Sequence, residues 1–458
     1  LTMKATLSFL FISGLFLFSA CNQSSNQSDT ESNGVKTEVV HPAWSKNASI
    51  YEINLRQFTR EGSINAFAAH LPRLEELGVD ILWFMPIHPI GEKNRKGELG
   101  SYYSVKDYKG VNPEFGTFED FTTMVRQAHD LNMKVIIDWV PNHSSWDNPL
   151  ITEHPEWYAL DSTGNMYSPY DWTDVVQFDY TQDGLKDYMI DAFIFWLKEA
   201  DIDGFRMDVA HQVPIEFWND VRGPLMEVKP EVFLLAEAEN RALHEKAFNM
   251  TYAWEFHHMM NEVAQGKKGL SVMLEYFERS ETDYNPNDMR MYFTSNHDEN
   301  SWNGTVWERM GDATEVMAIL SYTLPGMPLI YNGQEAGLAH RLEFFVKDSI
   351  PWISHPFNEL YTNLNRFKKD NPALWNPGFG GTMKLIKNSQ PDKVLSFMRT
   401  KGENQVLVIL NLSPDTIDVE LEAFKEPEIF SDFISKETLS FTVPSAKLSA
   451  WGYKALYR

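Results

Sequence analysis

Eight short apolar runs, separated by longer amphipathic stretches, constrain the fold of this 458-residue chain more than any other feature. This alternation is typical of βα units that build a parallel sheet. Residues 64–77 and 185–200, between runs, have the three- and four-residue apolar spacing of helices. Eight such units predict a closed TIM (β/α)8 barrel. The predicted strands are residues 50–55, 81–85, 134–138, 203–207, 232–236, 252–256, 291–295 and 328–331.

Two departures from the alternation predict the domain organisation. Residues 139–175 are rich in Pro, Asn, Asp, Ser and Tyr and show no helical pattern. A long excursion of this kind is usually functional, so we expect a short inserted lobe after strand three of a barrel that spans residues 41–376. Beyond the glycine-rich 378–381 the apolar pattern has period two, which predicts a C-terminal antiparallel β-sandwich over residues 377–458.

The amino-terminal segment predicts export. Lys4 is followed by an apolar stretch, which together are typical of a secretory signal peptide over residues 1–20. The residues that end in Cys21, the only cysteine of the chain, resemble a bacterial lipobox, and the polar stretch behind it predicts a flexible tether over residues 21–40. We therefore expect a lipoprotein in the periplasm or at the cell surface, with membrane contact only through a lipid on Cys21. A plain signal peptide with a chance cysteine is the alternative.

The charge and aromatic content narrow the class of partner. The chain has 64 acidic and 40 basic residues, for a net charge of −24, which argues against nucleic acid. Aromatic residues make up 14% of the chain, and exposed aromatic rings stack well on the faces of neutral sugars. Most of these rings are expected in the core.

Charged side chains follow four of the predicted strands, at the barrel end where active sites form. They are Asp138 to His143 after strand three, Arg206 and Asp208 on strand four, Glu237 after strand five, and His297 with Asp298 after strand seven. Arg206 and Asp208 are two residues apart, so their side chains leave the same face of a strand. We expect the arginine to keep Asp208 ionised.

Glu237 is predicted to differ from Asp208 in protonation. It ends an apolar strand, where partial burial and the nearby charge of Asp298 should raise its pKa. An ionised carboxylate beside a protonated one is the arrangement that glycoside hydrolysis needs. Glu239 shares the face of Glu237 if the strand continues, so it is the alternative acid. Taken singly, each of these residues is more often a loop residue or helix cap than a catalyst.

In their order and spacing these segments strongly resemble the α-amylase family, glycoside hydrolase family 13. Residues 78–86, 103–108 and 328–333 resemble further conserved regions of that family. The resemblance implies that Asp208 is the nucleophile, that Glu237 is the acid/base, and that Asp298 grips sugar hydroxyls at the cleavage subsite.

The resemblance also implies a set of substrate-binding residues: Tyr103, whose ring stacks on the sugar, with His143, Arg206, His211 and His297. Many family members carry Lys-His three and four residues after the nucleophile, whereas this chain has His211 and Gln212 there. This difference puts the more distal sugar contacts in doubt. Buried core histidines are the alternative interpretation of His143 and His297.

Asn142 matches a position that binds structural calcium in many family members. The partner ligands lie in a longer lobe in those proteins and cannot be matched here, so calcium is an open prediction resting on Asn142. No cluster of cysteine and histidine in the sequence indicates zinc.

We therefore expect a retaining hydrolase of α-1,4-glucosidic bonds in starch or maltooligosaccharides. The same fold and carboxylates also serve cyclomaltodextrinases, neopullulanases, α-glucosidases and transglycosylases, and these alternatives stay open because loop shapes separate them. A glucan-binding lipoprotein without activity is the alternative from another class. The sequence sets no oligomeric state.

Overall fold

Eight parallel strands close a barrel in the computed structural model, which describes residues 39–422, 428–434, 438–441 and 445–458. The strands in chain order are β1 (Ile50–Ile53), β2 (Ile81–Phe84), β3 (Lys134–Trp139), β4 (His143–Ser145), β5 (Val175–Gln177), β6 (Gly204–Met207), β7 (Phe233–Ala236), β8 (Met250–Tyr252), β9 (Met289–Phe293), β10 (Met327–Tyr331), β11 (Thr382–Leu385), β12 (Val394–Lys401), β13 (Asn404–Asn411), β14 (Ile417–Glu420), β15 (Glu428–Asp432), β16 (Thr438–Phe441), β17 (Ser445–Leu448) and β18 (Tyr453–Tyr457). The order around the barrel is β1-β10-β9-β8-β7-β6-β3-β2. The predicted barrel fold is confirmed.

Helices surround the barrel between its strands. They are α1 (Leu55–Phe58), α2 (Ile64–Ala68), α3 (Leu71–Leu77), α4 (Phe118–Asp130), α5 (Leu150–Glu153), α6 (Asp183–Glu199), α7 (Ile215–Val228), α8 (Trp254–Ala264), α9 (Ser271–Asp283), α10 (Val306–Met310), α11 (Thr314–Thr323) and α12 (Pro356–Asp370). Local sequence sets their ends: Thr117 and Asp120 form a capping box at the start of α4, and Gly78 ends α3 in the left-handed region with φ 84°.

Three predicted elements were wrong in detail. The first strand is Ile50–Ile53 and not residues 50–55, since α1 begins at Leu55. The sixth barrel strand is Met250–Tyr252 and not residues 252–256, since α8 begins at Trp254. A short apolar run cannot by itself distinguish a buried strand from the start of a buried helix. The helix predicted over residues 64–77 is divided into α2 and α3, because Pro72 has no N–H to continue the hydrogen-bond ladder and lies at the start of α3.

The inward positions of the barrel strands change character along the barrel axis. From the amino end inward, buried apolar side chains form a cluster, here called the barrel plug, whose Trp83 and Tyr252 reach Arg206. The plug consists of Ala48, Ile50, Ile81, Trp83, Ile136, Phe233, Leu235, Met250, Tyr252, Met289, Met291, Phe293, Met327 and Leu329. Because side chains alternate along a strand, the next inward positions after Ile50, Ile136 and Leu235 are Glu52, Asp138 and Glu237. The strands therefore bring charged groups together at the carboxyl end of the barrel, which is here called the rim.

Two additions complete the described fold. Between β3 and α6 the chain forms a lobe in which β4 pairs antiparallel with β5, with α5 between them. After α12, antiparallel strands form a six-stranded sheet in the order β11-β12-β13-β18-β15-β16, and β14 pairs with β17. These two sheets enclose a shared apolar core, and the Phe433 ring stacks on Phe367 of α12 at 4.7 Å.

The predicted signal peptide and Cys21 lie outside the described residues. Among the residues that the structure describes, no helix combines the length and the apolar character needed to span a bilayer.

Candidate active site

Arg206 is the centre of the charged cluster at the carboxyl end of the barrel. Its completely buried guanidinium donates from Nη1 to Asp138 Oδ1 at 2.8 Å and to Asp208 Oδ1 at 2.9 Å. Its Nη2 lies 2.9 Å from Glu237 Oε2, although this contact lacks the alignment of a hydrogen bond. Nε donates to the Tyr252 hydroxyl at 3.1 Å. One cation thus holds three carboxylates that come from three neighbouring strands.

The pKa directions within this cluster reverse the predicted ones. Burial raises the pKa of Asp208 well above its usual range, and Arg206 offsets this only in part. Burial would also raise the pKa of Glu237, but the attraction of Arg206 and a hydrogen bond from the Val209 amide at 2.8 Å lower it on balance. The sequence assigned Arg206 to Asp208 alone, whereas the fold makes three carboxylates share it. Without substrate, Glu237 is the more readily ionised of the two.

The backbone at Val209 is strained where it meets Glu237. Val209 has a φ of 38°, in the left-handed region that β-branched residues rarely adopt. This conformation begins the turn Ala210–Gln212. It also accompanies the Val209 N–H hydrogen bond to the Glu237 carboxylate.

A second group of charges surrounds His297. Its Nδ1 contacts Glu52 Oε1 at 2.5 Å, and its Nε2 lies 2.8 Å from the Tyr103 hydroxyl and 3.3 Å from Asp298 Oδ2. Burial lowers the pKa of His297, but the two carboxylates outweigh it and raise that pKa to about 9. His297 is therefore a cation at neutral pH and can donate from both ring nitrogens.

Tyr103 joins the two groups of charges. Its hydroxyl donates to Asp138 Oδ2 at 3.1 Å, and its ring stacks on the His297 ring with centroids 5.5 Å apart and planes 22° apart. The Asp298 side chain is 37% exposed, against 10% for Asp208 and 14% for Glu237. The site thus opens on the side of Asp298.

The remaining predicted residues lie around this network. His143 is buried with its ring 5.4 Å from that of Trp172, and burial lowers its pKa to about 3, so it is neutral. His211 is exposed on the turn Ala210–Gln212 that follows Val209. Glu239, the alternative acid, is instead ion-paired with Arg290 and accepts from the Glu255 amide at 2.8 Å.

Two carboxylates of the site were given no role by sequence reasoning. Asp138 contacts Arg206 and Tyr103, and burial raises its pKa to about 6. Glu52 is completely buried; burial raises its pKa, and the attraction of His297 offsets this only in part. The signal for both was present in the chain, as a carboxylate two residues beyond an inward-facing isoleucine.

Asn142 does not present the ligand set of a calcium site. Its Oδ1 accepts from Gln177 Nε2 at 2.8 Å, and its Nδ2 donates to Gln177 Oε1 at 3.2 Å, so both ends of the amide are paired. In the described ranges, no group of three or more His, Cys, Asp or Glu side chains could hold a metal ion. Calcium binding by this chain stays a prediction.

A closed (β/α)8 barrel with carboxylates gathered at the carboxyl end of its strands has the layout of a barrel enzyme. The family model for the α-amylase catalytic domain matches residues 22–156 and 151–384, which is most of the chain. The protein therefore belongs to the α-amylase family of glycoside hydrolases and transferases, and the family predicted from the sequence is confirmed.

Relatives of this chain carry the names of different activities within that family. An α-amylase of Haloarcula japonica is 27% identical over 401 residues, which are 83% of this chain and 58% of the relative. A relative from Salinibacter ruber, named α-1,4-glucan:maltose-1-phosphate maltosyltransferase, is 25% identical over 415 residues. These residues are 82% of this chain and 61% of the relative. The chain thus spans less than two thirds of the length of these two relatives.

One solved structure aligns over nearly its whole length. A maltogenic α-amylase from Thermotoga neapolitana is 29% identical, with a TM-score of 0.80, and the alignment covers 91% of this chain and 97% of that one.

Proposed function

We propose that the protein is a retaining α-glucan hydrolase that cleaves α-1,4-glucosidic bonds in starch or maltooligosaccharides. One observation carries the proposal: Asp208 and Glu237 each place an oxygen 2.9 Å from a nitrogen of the Arg206 guanidinium. Two carboxyl groups beside one cation can act together on one glycosidic bond, and the retaining outcome is the one that the resemblance to the α-amylase family implies.

The first half of the reaction forms an ester between Asp208 and the sugar. A carboxylate oxygen of Asp208 attacks the anomeric carbon while the glycosidic C–O bond breaks and its electron pair goes to the leaving oxygen. Glu237 gives its proton to that oxygen. Asp298, the most exposed carboxylate of the three, accepts hydrogen bonds from sugar hydroxyls, and the cation of His297 beside it keeps it in place.

The second half releases the sugar. Glu237, now ionised, takes a proton from a water molecule whose oxygen attacks the anomeric carbon, and the bond to Asp208 breaks. Two displacements at the same carbon leave the product with the α configuration of the substrate.

This sequence of steps needs Glu237 protonated and Asp208 ionised, which is the reverse of the substrate-free distribution. The Arg206 contact to Glu237 is not aligned as a hydrogen bond, whereas the contact to Asp208 is. A sugar that moves the Glu237 side chain away from Arg206 removes the main attraction that lowers its pKa and leaves the guanidinium to Asp208. We infer that the proton moves to Glu237 as substrate binds.

Two pH profiles test this inference. The alkaline limb reports loss of the proton from the acid, in the free enzyme for kcat/KM and in the complex for kcat. Because binding raises the pKa of Glu237, we expect the alkaline limb of kcat at a higher pH than that of kcat/KM. Coincident limbs would contradict a rise in the pKa of Glu237 on substrate binding.

The experiment that tests the proposed function is a time course on maltoheptaose, with the anomers of early products read by NMR. Early α-anomers of shorter maltooligosaccharides support the proposal. Early β-anomers would contradict a retaining mechanism. Products longer than maltoheptaose would favour transglycosylation, the second candidate, which the Salinibacter ruber relative's name supports.

Export is a separate proposal that rests on the sequence alone. We propose that the chain is cleaved before Cys21 and lipidated there, which would hold the enzyme at a membrane surface with its substrate in the periplasm or outside the cell. Mass spectrometry of the amino terminus of the native protein tests it: an unmodified Cys21, or cleavage elsewhere, would contradict it.

A further inference from the structure

An exposed tryptophan lies four residues beyond Asp298. Trp302 belongs to the π-helical turn Glu299–Asn303 and has 51% of its surface exposed. Leaving a ring of this size in water forgoes hydrophobic free energy, and such exposure often marks a binding surface. Its surroundings indicate what it binds.

Trp302 is the outer end of a continuous set of rings that leads to the catalytic cluster. Its ring centroid lies 5.1 Å from that of Phe344 and 5.9 Å from that of Phe345. Phe344 in turn lies 6.4 Å from Tyr103 with the two planes only 11° apart. We call Trp302, Phe344 and Phe345 the aromatic wall. It carries no charge. Phe344 is buried and packs behind the exposed ring of Trp302, which it links to Tyr103.

Hydrogen bonds fix the wall in place by joining the loop after β9 to the loop after β10. Ser301 Oγ donates to the Leu342 carbonyl at 2.9 Å, and the Leu342 amide donates to Asn300 Oδ1 at 2.8 Å. The loop after β2 adds a third connection, from the Leu99 amide to the Phe345 carbonyl at 2.9 Å. Three loops at the same rim thus hold the exposed indole.

The turn that carries Trp302 is also held from behind. Glu299 is buried and lies 3.2 Å from His257 Nε2 and 3.5 Å from Arg309 Nη1. Arg309 Nε donates to the Gly304 carbonyl at the end of the turn at 2.9 Å. A rigid ring loses little conformational entropy when a ligand stacks on it, so a preorganised wall favours binding.

We propose that the aromatic wall is a stacking subsite for a glucosyl unit on the glycone side of the cleaved bond, and that Trp302 sets the preference for longer glucan chains. This inference rests on the proposed function. Glucose rings present apolar C–H faces that pack on aromatic rings, and the wall offers no charge to bind an ion. The wall reaches the catalytic cluster through Tyr103, whereas Glu237, the group that protonates the leaving sugar, comes from β7.

The experiment compares kcat/KM on maltoheptaose and on maltotriose in Trp302→Ala, Trp302→Tyr and Met226→Ala. Met226 is an exposed apolar residue on α7 and serves as the matched control. We expect Trp302→Ala to lower the maltoheptaose-to-maltotriose ratio about tenfold, which is the size of one good ring contact. Trp302→Tyr should keep most of the wild-type ratio of the two kcat/KM values, and Met226→Ala should leave this ratio unchanged.

Reducing-end-labelled maltoheptaose determines the side of the subsite. Loss of a glycone subsite shifts cleavage toward the non-reducing end, so that shorter glycones are released. A shift toward the reducing end would overturn the assignment to the glycone side. An unchanged ratio, or an equal loss on both substrates, would overturn the stacking subsite itself.

Binding separates failure of this inference from failure of the proposed function. In an Asp208→Asn background, calorimetric titration measures the affinity for maltoheptaose without relying on the tryptophan signal, and Trp302→Ala should weaken binding about tenfold. If wild type turns over no glucan but the titration shows this loss, the hydrolase proposal fails and the subsite stands. If wild type is an active hydrolase and Trp302→Ala binds and cleaves as wild type does, the subsite fails alone.

Discussion

Inside the barrel, Ile50, Ile136 and Leu235 fill the amino end, and one inward position further along the same strands lie Glu52, Asp138 and Glu237. The plug is packed without charge and stabilises the fold through burial. The rim crowds several carboxylates around one guanidinium and one imidazolium, and its buried charges cost desolvation free energy. These strands thus stabilise the fold through the apolar side chains at their amino ends. At their carboxyl ends, stability is lower because buried charged groups that can take part in a reaction replace apolar ones.

The largest effect is expected at the rim, from Asp208→Asn. This change removes the proposed nucleophile, and kcat/KM on maltoheptaose should fall about 10⁴-fold. Because folding raises the pKa of Asp208, its ionised form is disfavoured in the native state, so the neutral amide should leave the free energy of unfolding equal or higher. Kinetics and urea unfolding measure the two quantities. If Asp208→Asn stayed active, or if it also lowered the free energy of unfolding, the contrast between the rim and the barrel plug would be wrong.

At the plug the opposite outcome is expected, from Phe233→Ala. Phe233 is completely buried and packs against Trp44 with ring centroids 5.5 Å apart. Its truncation leaves a cavity and should lower the free energy of unfolding by about 3–5 kcal/mol, measured by urea unfolding. At a temperature where the variant is folded, kcat should match wild type. Phe233→Leu is the control and should cost less, and a fall in kcat in the folded variant would show that the two ends are coupled.

A smaller effect on stability, which depends on pH, tests whether His297 stabilises the fold through its ion pairs or through packing. The pKa of His297 is raised from 6.5 to about 9 in the folded protein, so its contribution to stability is fully present below pH 6.5 and is lost as the pH rises through about 9. We expect the free energy of unfolding of wild type to exceed that of His297→Gln by an amount on the order of 3 kcal/mol at pH 6 and by much less at pH 9.5.

Urea unfolding of both proteins at the two pH values measures this difference. Phe233→Ala provides the comparison, since its loss of stability should not depend on pH over this range. A pH-independent difference between wild type and His297→Gln would mean that His297 contributes by packing and not as a cation.

Local patterns in the chain were enough to predict the barrel, because the apolar period of a strand or helix is carried by its own residues. The period of apolar residues identified the strands, and the charges at their ends located the rim. The sixth strand was displaced because the apolar run at residues 252–256 fits a helix start as well as a strand. Of the site residues predicted from resemblance, Asp208 and Glu237 contact Arg206, and Tyr103 and Asp298 contact His297. The catalytic roles of these residues stay predictions.

What the sequence determined by itself is therefore the barrel, the family and the rim on which the carboxylates lie. The tertiary structure decided how those carboxylates share their cations: Asp138 reaches Arg206 across 68 residues, and Glu52 reaches His297 across 245. A pKa depends on burial and on every charge within a few ångströms, and neither is a property of neighbouring residues in the chain. For that reason the order of protonation of Asp208 and Glu237 was predicted in reverse, although both residues were identified from the sequence.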